Sequence, residues 1–326
     1  MRKKHFNFHS VFASEIQSFL ELRTAQGHVI RHEAYILETL DIFLVEHGLW
    51  ERSLPAETID SWLYSLPNKL NANTLVTYVS YYAQFAKYMR ISDIPAFIPE
   101  SPKGNNEYVP YIFSEDEMKR LFAACDNLSV KKHNTKAQVI FPVLFRMLYG
   151  CGLRLDEALT LRLKDVDLIN GILHILNAKG SKDRIVPMHN SLTDICRNYY
   201  KLLHSTSEDT AYFFESHNHK RFSQTWAGRW FGIALKSAGI PLPDGTKVSR
   251  GICPHCLRHT FAVDSFRKME RKECNLYESV PFLSTYMGHS DLYGTEKYLR
   301  MTSEMHADVV ERMAVYTSHV FPETSE

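Results

Sequence analysis

A stretch of helix- and strand-breaking residues between positions 99 and 110 divides this chain in two. Its breakers are Pro99, Pro102, Gly104, Asn105, Asn106 and Pro110. So many breakers with few apolar residues are typical of an exposed linker. The 326 residues are enough for two domains, each with its own core. We therefore predict a first domain over residues 1–100, a linker over 101–110 and a second domain over 111–326.

Apolar residues recur at a helical period through the first of these domains. Gly48 is suited to ending a helix, and Pro55 is suited to the first turn of the next one. The predicted helices are Val11–Gln26, His32–His47, Ala56–Leu66 and Asn73–Met89. Four helices of this length predict a small helical bundle.

The second domain is predicted to be mainly α-helical with a small antiparallel β-sheet. Ile172–Leu176 and Arg184–Pro187 flank Lys-Gly-Ser-Lys-Asp, which fits two strands joined by a tight turn. Ser114 with Glu117 three residues later is the signature of a capping box. The predicted helices are Ser114–Cys125, Ala137–Tyr149, Leu155–Leu163, Trp226–Ala238, Pro254–Met269, Val280–Met287, Leu292–Met301 and Ser303–Thr317.

The composition is that of an ordinary globular protein, with 44% hydrophobic and 23% charged residues. No run of about 18 apolar residues is present, which argues against a membrane-spanning helix. The basic N-terminus is not followed by the apolar stretch of a signal peptide, so we expect a cytoplasmic protein with reduced cysteines. The net charge of +1 argues weakly against a nucleic-acid partner, because such proteins are often more basic.

The first stretch that can carry chemistry runs from Gly150 to Glu157 and contains Arg154. The planar guanidinium of an arginine can donate two parallel hydrogen bonds to a phosphate. Glu157 lies one helical turn after Arg154 and can orient it. Taken alone, the pair is more often a salt bridge at a helix start.

The second stretch is the predicted hairpin turn, with Lys179 near its tip. A lysine there can act as a point charge against DNA or as a proton donor. Most lysines at hairpin tips are only solvated.

The third stretch follows Pro254, where His255 and Arg258 are spaced to share one helix face. The free amides of that first helical turn can bind an anion. By itself a His-x-x-Arg pair is common and usually structural.

The fourth stretch places His289 nine residues before Tyr298. A tyrosine has a pKa near 10, so it is a poor nucleophile unless cations or a base stabilise the phenolate. With 17 tyrosines in the chain, any one of them is more often a packing residue.

The order Arg, Lys, His-x-x-Arg, His, Tyr resembles the tyrosine recombinase, or phage integrase, family. Gly-Leu-Arg-Leu-Asp-Glu-Ala is similar to the first family box, and Lys-Gly-Ser-Lys-Asp-Arg-Ile-Val-Pro to the strand-turn-strand lysine box. His-Cys-Leu-Arg-His-Thr-Phe-Ala and Met-Gly-His-Ser followed by Tyr298 are similar to the C-terminal boxes. The catalytic resemblance covers about residues 111–301, and the helical first domain resembles the family's core DNA-binding module.

This resemblance implies a two-domain clamp around double-stranded DNA that exchanges strands between specific recombination sites. Cleavage would pass through a 3′-phosphotyrosyl bond, and exchange through a Holliday junction in a tetramer on DNA. The implied roles are nucleophile for Tyr298, phosphate binding for Arg154, Arg258 and His289, leaving-group protonation for Lys179, proton transfer for His255, and support of Arg154 for Glu157. No metal ion or other cofactor is implied. The helix over Ser303–Thr317 resembles the segment that docks on a neighbouring subunit, although packing on its own domain is nearly as plausible.

Contacts with the DNA backbone are expected to dominate affinity and to make it salt-sensitive. On the same resemblance, the candidate backbone contacts are Arg162, Lys164, Lys182 and Arg184. Two other functions stay open: a DNA-binding protein of this fold that no longer cleaves, and a type IB topoisomerase. The compact N-terminal part mildly favours a Xer-like or transposon-type recombinase.

Cys253-Pro254-His255-Cys256 also has the spacing of a redox dithiol or of half a zinc site. Its place late in a helical domain differs from that of a thioredoxin-like enzyme. No second Cys-x-x-Cys or histidine pair with suitable spacing supports zinc.

Overall fold

The computed structural model describes residues 6–67, 70–104, 109–128, 136–176, 183–241, 251–289, 291–292 and 294–299. The chain divides between residues 108 and 109 into two compact units. Lys179, Lys182 and the predicted helix Ser303–Thr317 lie outside the described residues. The predicted fold class, mainly α-helical with a small antiparallel sheet, is confirmed.

The first unit contains four helices over the predicted ranges, shifted by only a few residues at their ends. They are α1 Ala13–Ala25, α2 Arg31–Glu46, α3 Ala56–Ser65 and α4 Ala72–Ile91. The Asn71 side chain caps α4 by accepting a hydrogen bond from the Asn73 amide. Trp62, Tyr82 and Phe85 are fully buried between these helices, so this unit has a core of its own.

The second unit contains seven α-helices and three strands within its described residues. The helices are α5 Glu115–Asp126, α6 Ala137–Gly150, α7 Leu155–Thr160, α8 Asn190–Leu203, α9 Gln224–Ser237, α10 His255–Arg271 and α11 Leu276–Met287, and residues 294–299 are also helical. Ser114 and Glu117 form the predicted capping box of α5. None of the described helices is both long and apolar enough to cross a membrane.

The sheet is antiparallel and consists of β1 Val166–Asp167, β2 Ile172–Ile175 and β3 Arg184–Pro187, in that order. The pairing of Leu173 with Val186 points both side chains into the core, where neither is exposed. β1 and α8 were not predicted. The apolar residues of α8 follow a helical spacing, with Leu192, Cys196 and Tyr199 buried and polar residues on the other face, so the helical period was present in the sequence but was missed.

Helix α10 lies against both α6 and α11, and α11 lies against β3. The buried Leu144 and Leu148 of α6 and the buried Leu257 of α10 contribute to the core below these helices. The N-terminal end of α10 and the C-terminal end of α11 thereby meet on one side of the second unit.

Candidate active site

The C-terminal end of α11 gathers three arginines from three other parts of the second unit. The donor and acceptor pairs are Arg184 Nε to Tyr286 O at 2.9 Å, Arg258 Nη2 to Met287 O at 2.8 Å, and Arg154 Nη2 to Gly288 O at 2.7 Å. The last carbonyls of a helix lack partners within the helix and carry the negative end of its dipole, so they attract cations. Three consecutive carbonyls therefore fix the positions of three guanidinium groups.

Gly288 allows this arrangement because it ends α11 in the left-handed conformation, with a φ of 67°. A Cβ atom at this position would lie only 2.8 Å from Nη1 of Arg184. Glycine is therefore required both by the turn and by the close approach of Arg184.

Gly152 serves the same site from the other side. Its φ is 58°, and a Cβ atom there would overlap the ring of Phe261. Its carbonyl accepts a hydrogen bond of 2.5 Å from Nη1 of Arg258. The turn that follows the end of α6 thus places the carbonyl of Gly152 against Arg258 of α10.

Glu157 binds two of the three arginines. Its carboxylate accepts bonds from Arg154 Nη1 at 2.8 Å and from Arg184 Nη1 and Nη2 at 3.0 and 2.8 Å, and it also accepts the Arg154 amide at 2.9 Å. Burial alone would raise the pKa of Glu157, but the hydrogen bonds and charge of Arg184, together with those of Arg154, lower it to about 2. Glu157 is therefore ionised at neutral pH and holds both cations.

Arg258 is almost completely buried, with 1% of its surface exposed. Both of its bonds go to backbone carbonyls, those of Gly152 and Met287, and neither goes to a carboxylate. Burial and the nearby charge of Arg154 lower the pKa of Arg258 to about 9, so it still carries its charge at neutral pH. A charge held in a poorly solvated place interacts strongly with an anion that comes within reach.

Tyr298 lies on the short helix 294–299 and is 2% exposed. Its hydroxyl shares a 2.6 Å hydrogen bond with Nδ1 of His259. Burial and the charges of the surrounding groups, first among them His255, lower the pKa of His259 to about 3. His259 is therefore a neutral imidazole at physiological pH, and it holds the hydroxyl of Tyr298 inside the protein.

His289 follows Gly288 and is partly buried. Its Nδ1 is 2.5 Å from Oγ1 of Thr295, and its ring is stacked 6.3 Å from the Tyr298 ring. Burial, with the charges of Arg258 and Arg154, lowers the pKa of His289 to about 4. A neutral imidazole can donate a hydrogen bond from its second nitrogen to an incoming oxygen.

His255 is exposed at the first position of α10. Its ring meets that of His259 edge to face, with the centroids 4.6 Å apart. His259 therefore lies between His255 and Tyr298 and contacts both of them.

The structure brings Arg154, Glu157, Arg258, His289 and Tyr298 together around the end of α11. Lys164 is exposed, as a backbone contact would be. The remaining two described candidates for DNA contact have protein partners: Arg162 donates to the Thr210 carbonyl and covers the Tyr212 ring, and Arg184 is ion-paired with Glu157.

Arg184 differs most from its expected place. It was expected at the surface against DNA, but its side chain is only 7% exposed and all three of its nitrogen donors are bound. The reason is that the first residue of β3 faces the carboxylate of Glu157, 27 residues earlier, which sequence spacing alone does not reveal. As placed, Arg184 supports Glu157 and α11.

His259 is the residue at this site that the sequence reasoning missed. The signal was its spacing of four from His255, which places both imidazoles on one face of α10. Within the ranges that the structure describes, His, Cys, Asp and Glu residues form no cluster of three or more suited to a metal ion.

Comparison with known proteins identifies the family. A model of the phage integrase family matches residues 112–305, which is more than half of the chain. The chain belongs to the phage integrase family. The tyrosine recombinase XerC of Chlorobaculum parvum is 28% identical to this family member over 306 residues, covering 87% of this chain and 81% of XerC. The tyrosine recombinase XerA of Thermococcus kodakarensis is 27% identical over 296 residues, covering 89% and 90%. The enzyme class is that of the tyrosine-type site-specific recombinases.

A solved structure of XerH shares the fold of this recombinase. That structure is the XerH site-specific recombinase bound to a palindromic difH substrate, in a post-cleavage complex. Its TM-score is 0.64 at 17% identity, and the match covers 94% of this chain and 84% of XerH. At this level of identity the likeness establishes the fold.

Proposed function

We propose that this recombinase binds double-stranded DNA and cleaves and rejoins it through a 3′-phosphotyrosyl intermediate at Tyr298. The observation that supports this most directly is the set of groups around the end of α11. Two guanidiniums with fixed positions, Arg154 and Arg258, lie in the same site as a neutral imidazole and a tyrosine hydroxyl. Cations, a hydrogen-bond donor and a nucleophile are the groups that phosphoryl transfer requires.

In the proposed step, Oη of Tyr298 attacks the scissile phosphorus and the bond from phosphorus to the 5′ oxygen breaks. Arg154 and Arg258 bind the non-bridging oxygens, and His289 donates a hydrogen bond to one of them. The proton of the tyrosine hydroxyl goes to His255, and Lys179 gives a proton to the leaving 5′ oxygen. As written, the step uses no metal ion and no nucleotide cofactor.

The arginines are suited to this role because the protein holds them before any DNA arrives. Their positions are set by the carbonyls of Gly152, Met287 and Gly288, so little reorganisation is needed when charge builds up on the phosphate. Preorganised charge of this kind usually supplies the largest share of catalysis. Glu157 keeps Arg154 oriented by two bonds.

Cleavage requires Tyr298 to leave its hydrogen bond with His259, because only 2% of its surface is exposed. We propose that binding of DNA repositions the helix 294–299 so that the hydroxyl faces the bound phosphate. A buried nucleophile is protected from attacking DNA at random, and its release ties cleavage to assembly on a correct site.

The covalent intermediate conserves the energy of the phosphodiester bond, so rejoining to a partner strand needs no external energy source. We propose that four subunits on two sites exchange strands in this way through a Holliday junction. The segment Ser303–Thr317 would link neighbouring subunits, and the first unit would serve as the core DNA-binding module. Arg162, Lys164 and Lys182 remain the proposed contacts with the DNA backbone.

A nicked suicide substrate tests the nucleophile. A pool of nicked duplexes with randomised centres is incubated with the protein, and covalent adducts are separated on a denaturing gel. We expect an adduct with the wild type and with Tyr277→Phe, an exposed control tyrosine, and none with Tyr298→Phe. An adduct that persists in Tyr298→Phe would rule out this nucleophile.

The same substrates separate the proposal from its alternatives. A protein that retards duplex DNA but never forms an adduct would be a non-cleaving DNA-binding protein. Once adducts identify a target sequence, two copies of it on one plasmid distinguish recombination from simple relaxation. Supercoil relaxation without exchange between the sites would indicate a type IB topoisomerase.

A further inference from the structure

Two cysteines, Cys253 and Cys256, flank His255 in the sequence at the start of α10. The Cys256 amide donates to the Cys253 carbonyl at 2.9 Å, and the Cys253 amide donates to Sγ of Cys256 at 3.5 Å. The two thiols also hydrogen-bond to each other. A turn closed by such a bond keeps its end Cα atoms within about 7 Å, which overlaps the range of disulfides.

The two thiols differ in accessibility. Cys253 is partly exposed, whereas Cys256 is 1% exposed. The hydrogen bond with Cys253, together with burial, raises the pKa of the Cys256 thiol, so Cys256 stays protonated while Cys253 reacts first. Of the other four cysteines three are buried, and Cys274 alone is exposed.

We propose that Cys253 and Cys256 form a redox-active dithiol, a modification site for low-molecular-weight disulfides of the glutathione class. The Cys253 thiolate attacks one sulfur of the small disulfide, forms a mixed disulfide and releases one small thiol. Cys256 then attacks Sγ of Cys253 and gives its proton to the departing small thiolate, which leaves as the second small thiol. The two protein thiols are oxidised by two electrons, and the small disulfide is reduced to two thiols.

Closing this bond displaces His255. Cys253 lies two residues before the first residue of α10 and Cys256 is the second residue of the helix, and a disulfide between them needs Cβ atoms about 3.5–4.5 Å apart. The turn from Cys253 to Cys256 must adopt this spacing together with the fixed torsion of a disulfide, and His255 lies within that turn. A misplacement of about 1 Å typically costs about 100-fold in rate. This consequence for DNA cleavage rests on the proposed function, whereas disulfide formation does not.

The first test measures the bond itself, in a full-length Cys274→Ser background that removes the other exposed thiol. The protein is incubated with oxidised glutathione and analysed by peptide mass spectrometry. We expect loss of two hydrogen atoms in the peptide that contains both cysteines, reversal by dithiothreitol, and no internal bond in Cys253→Ser. A glutathione adduct that stays on Cys253, or no reaction there, would overturn the proposal.

The second test asks whether His255 moves, without using DNA. Carbethoxylation of His255 by diethyl pyrocarbonate is followed by mass spectrometry before and after oxidation. We expect the rate to change in the oxidised protein and to stay constant in Cys253→Ser. An unchanged rate in fully oxidised protein would refute the displacement.

The third test uses the covalent adduct assay. Oxidised protein should form adducts about 100-fold more slowly than reduced protein, and Cys253→Ser should be insensitive to oxidation. If reduced protein forms no adduct at all, the proposed function fails. The first two tests still show whether the disulfide forms and whether His255 moves. If oxidised protein cleaves normally, the inhibitory effect is refuted.

Discussion

Glu157 holds Arg154 and Arg184 at once, which makes its ionisation a measurable contribution to stability. Its pKa in the folded protein is about 2, below the ordinary value of 4.5. A carboxyl with a lowered pKa stabilises the fold fully above its unfolded pKa and loses that contribution as the pH falls towards the folded pKa. The shift corresponds to about 3 kcal/mol.

We therefore expect the free energy of unfolding to fall as the pH is lowered from about 5 towards 2. Glu157→Gln should be less stable at pH 7 and should show a flatter dependence in this window, measured by urea denaturation. Glu208→Gln, at an exposed carboxylate of the same unit, should keep the wild-type profile. Parallel profiles for wild type and Glu157→Gln would contradict the role assigned to Glu157.

Gly288 offers a second test, because two separate constraints act on one residue. Gly288→Ala puts a Cβ atom at a φ of 67° and 2.8 Å from Nη1 of Arg184. We expect a loss of about 2–4 kcal/mol in the free energy of unfolding.

Gly228→Ala is the matched control for that change. Gly228 lies inside α9 with open space around it, so alanine there should stabilise by about 0.5–1 kcal/mol. Equal effects of the two substitutions in chemical denaturation would show that Arg184 does not pack against Gly288.

The candidate residues could be chosen from the sequence, but their partners in the structure could not. Arg154, Arg258, His289 and Tyr298 are each a weak signal alone, and it is their order along the chain, which resembles that of the family, that makes them candidates. The bonds between Arg184 and Glu157 and between His259 and Tyr298 join residues 27 and 39 positions apart. Such contacts depend on how α10, α11 and β3 pack, which no local pattern records.

At the scale of elements, the C-terminal end of α11 depends on arginines from other parts of the unit as well as on its own Gly288. Arg184 gives one bond to the Tyr286 carbonyl there and two to Glu157, so Arg184→Lys should cost about 2 kcal/mol or more, because an ammonium cannot reproduce its planar fork. Urea denaturation measures the loss.

The surface ion pair of Arg221 with Asp156 provides the control for this comparison. Its side chains are 42% and 55% exposed, and Arg221→Lys should change stability by no more than about 0.5 kcal/mol. Similar losses for Arg221→Lys and Arg184→Lys would show that burial does not distinguish the two pairs.

Most elements were predicted, including the short β2, β3 and α7, whereas β1 and α8 were missed. The four helices of the first unit and α5, α6 and α10 begin and end within a few residues of their predicted limits. β1 has only two residues, too few for any period to show. The start of α11 was misplaced, because the helix begins at Leu276, after the cap that the Asn275 side chain provides, rather than at Val280.

At the scale of the whole molecule, the two units have separate hydrophobic cores. Leu40 belongs to the core of the first unit and Leu144 to that of the second, and both are fully buried. We expect calorimetry to resolve two unfolding transitions. Leu40→Ala should destabilise the first unit and Leu144→Ala the second. Each substitution should lower the free energy of unfolding of its own unit by about 2–5 kcal/mol. A single transition shifted by both substitutions would indicate one cooperative unit.

The anchored end of α11 also limits how far Tyr298, the proposed nucleophile, can move. Arg154, Arg184 and Arg258 fix the chain at residues 286–288, and Tyr298 follows only ten residues after Gly288. A fully extended chain of that length spans about 35 Å, and about 25 Å if residues 294–299 stay helical. On the proposed mechanism, a phosphate farther from Gly288 than this length plus that of the tyrosine side chain would be out of reach of that subunit's own Tyr298, and another subunit would have to cut it.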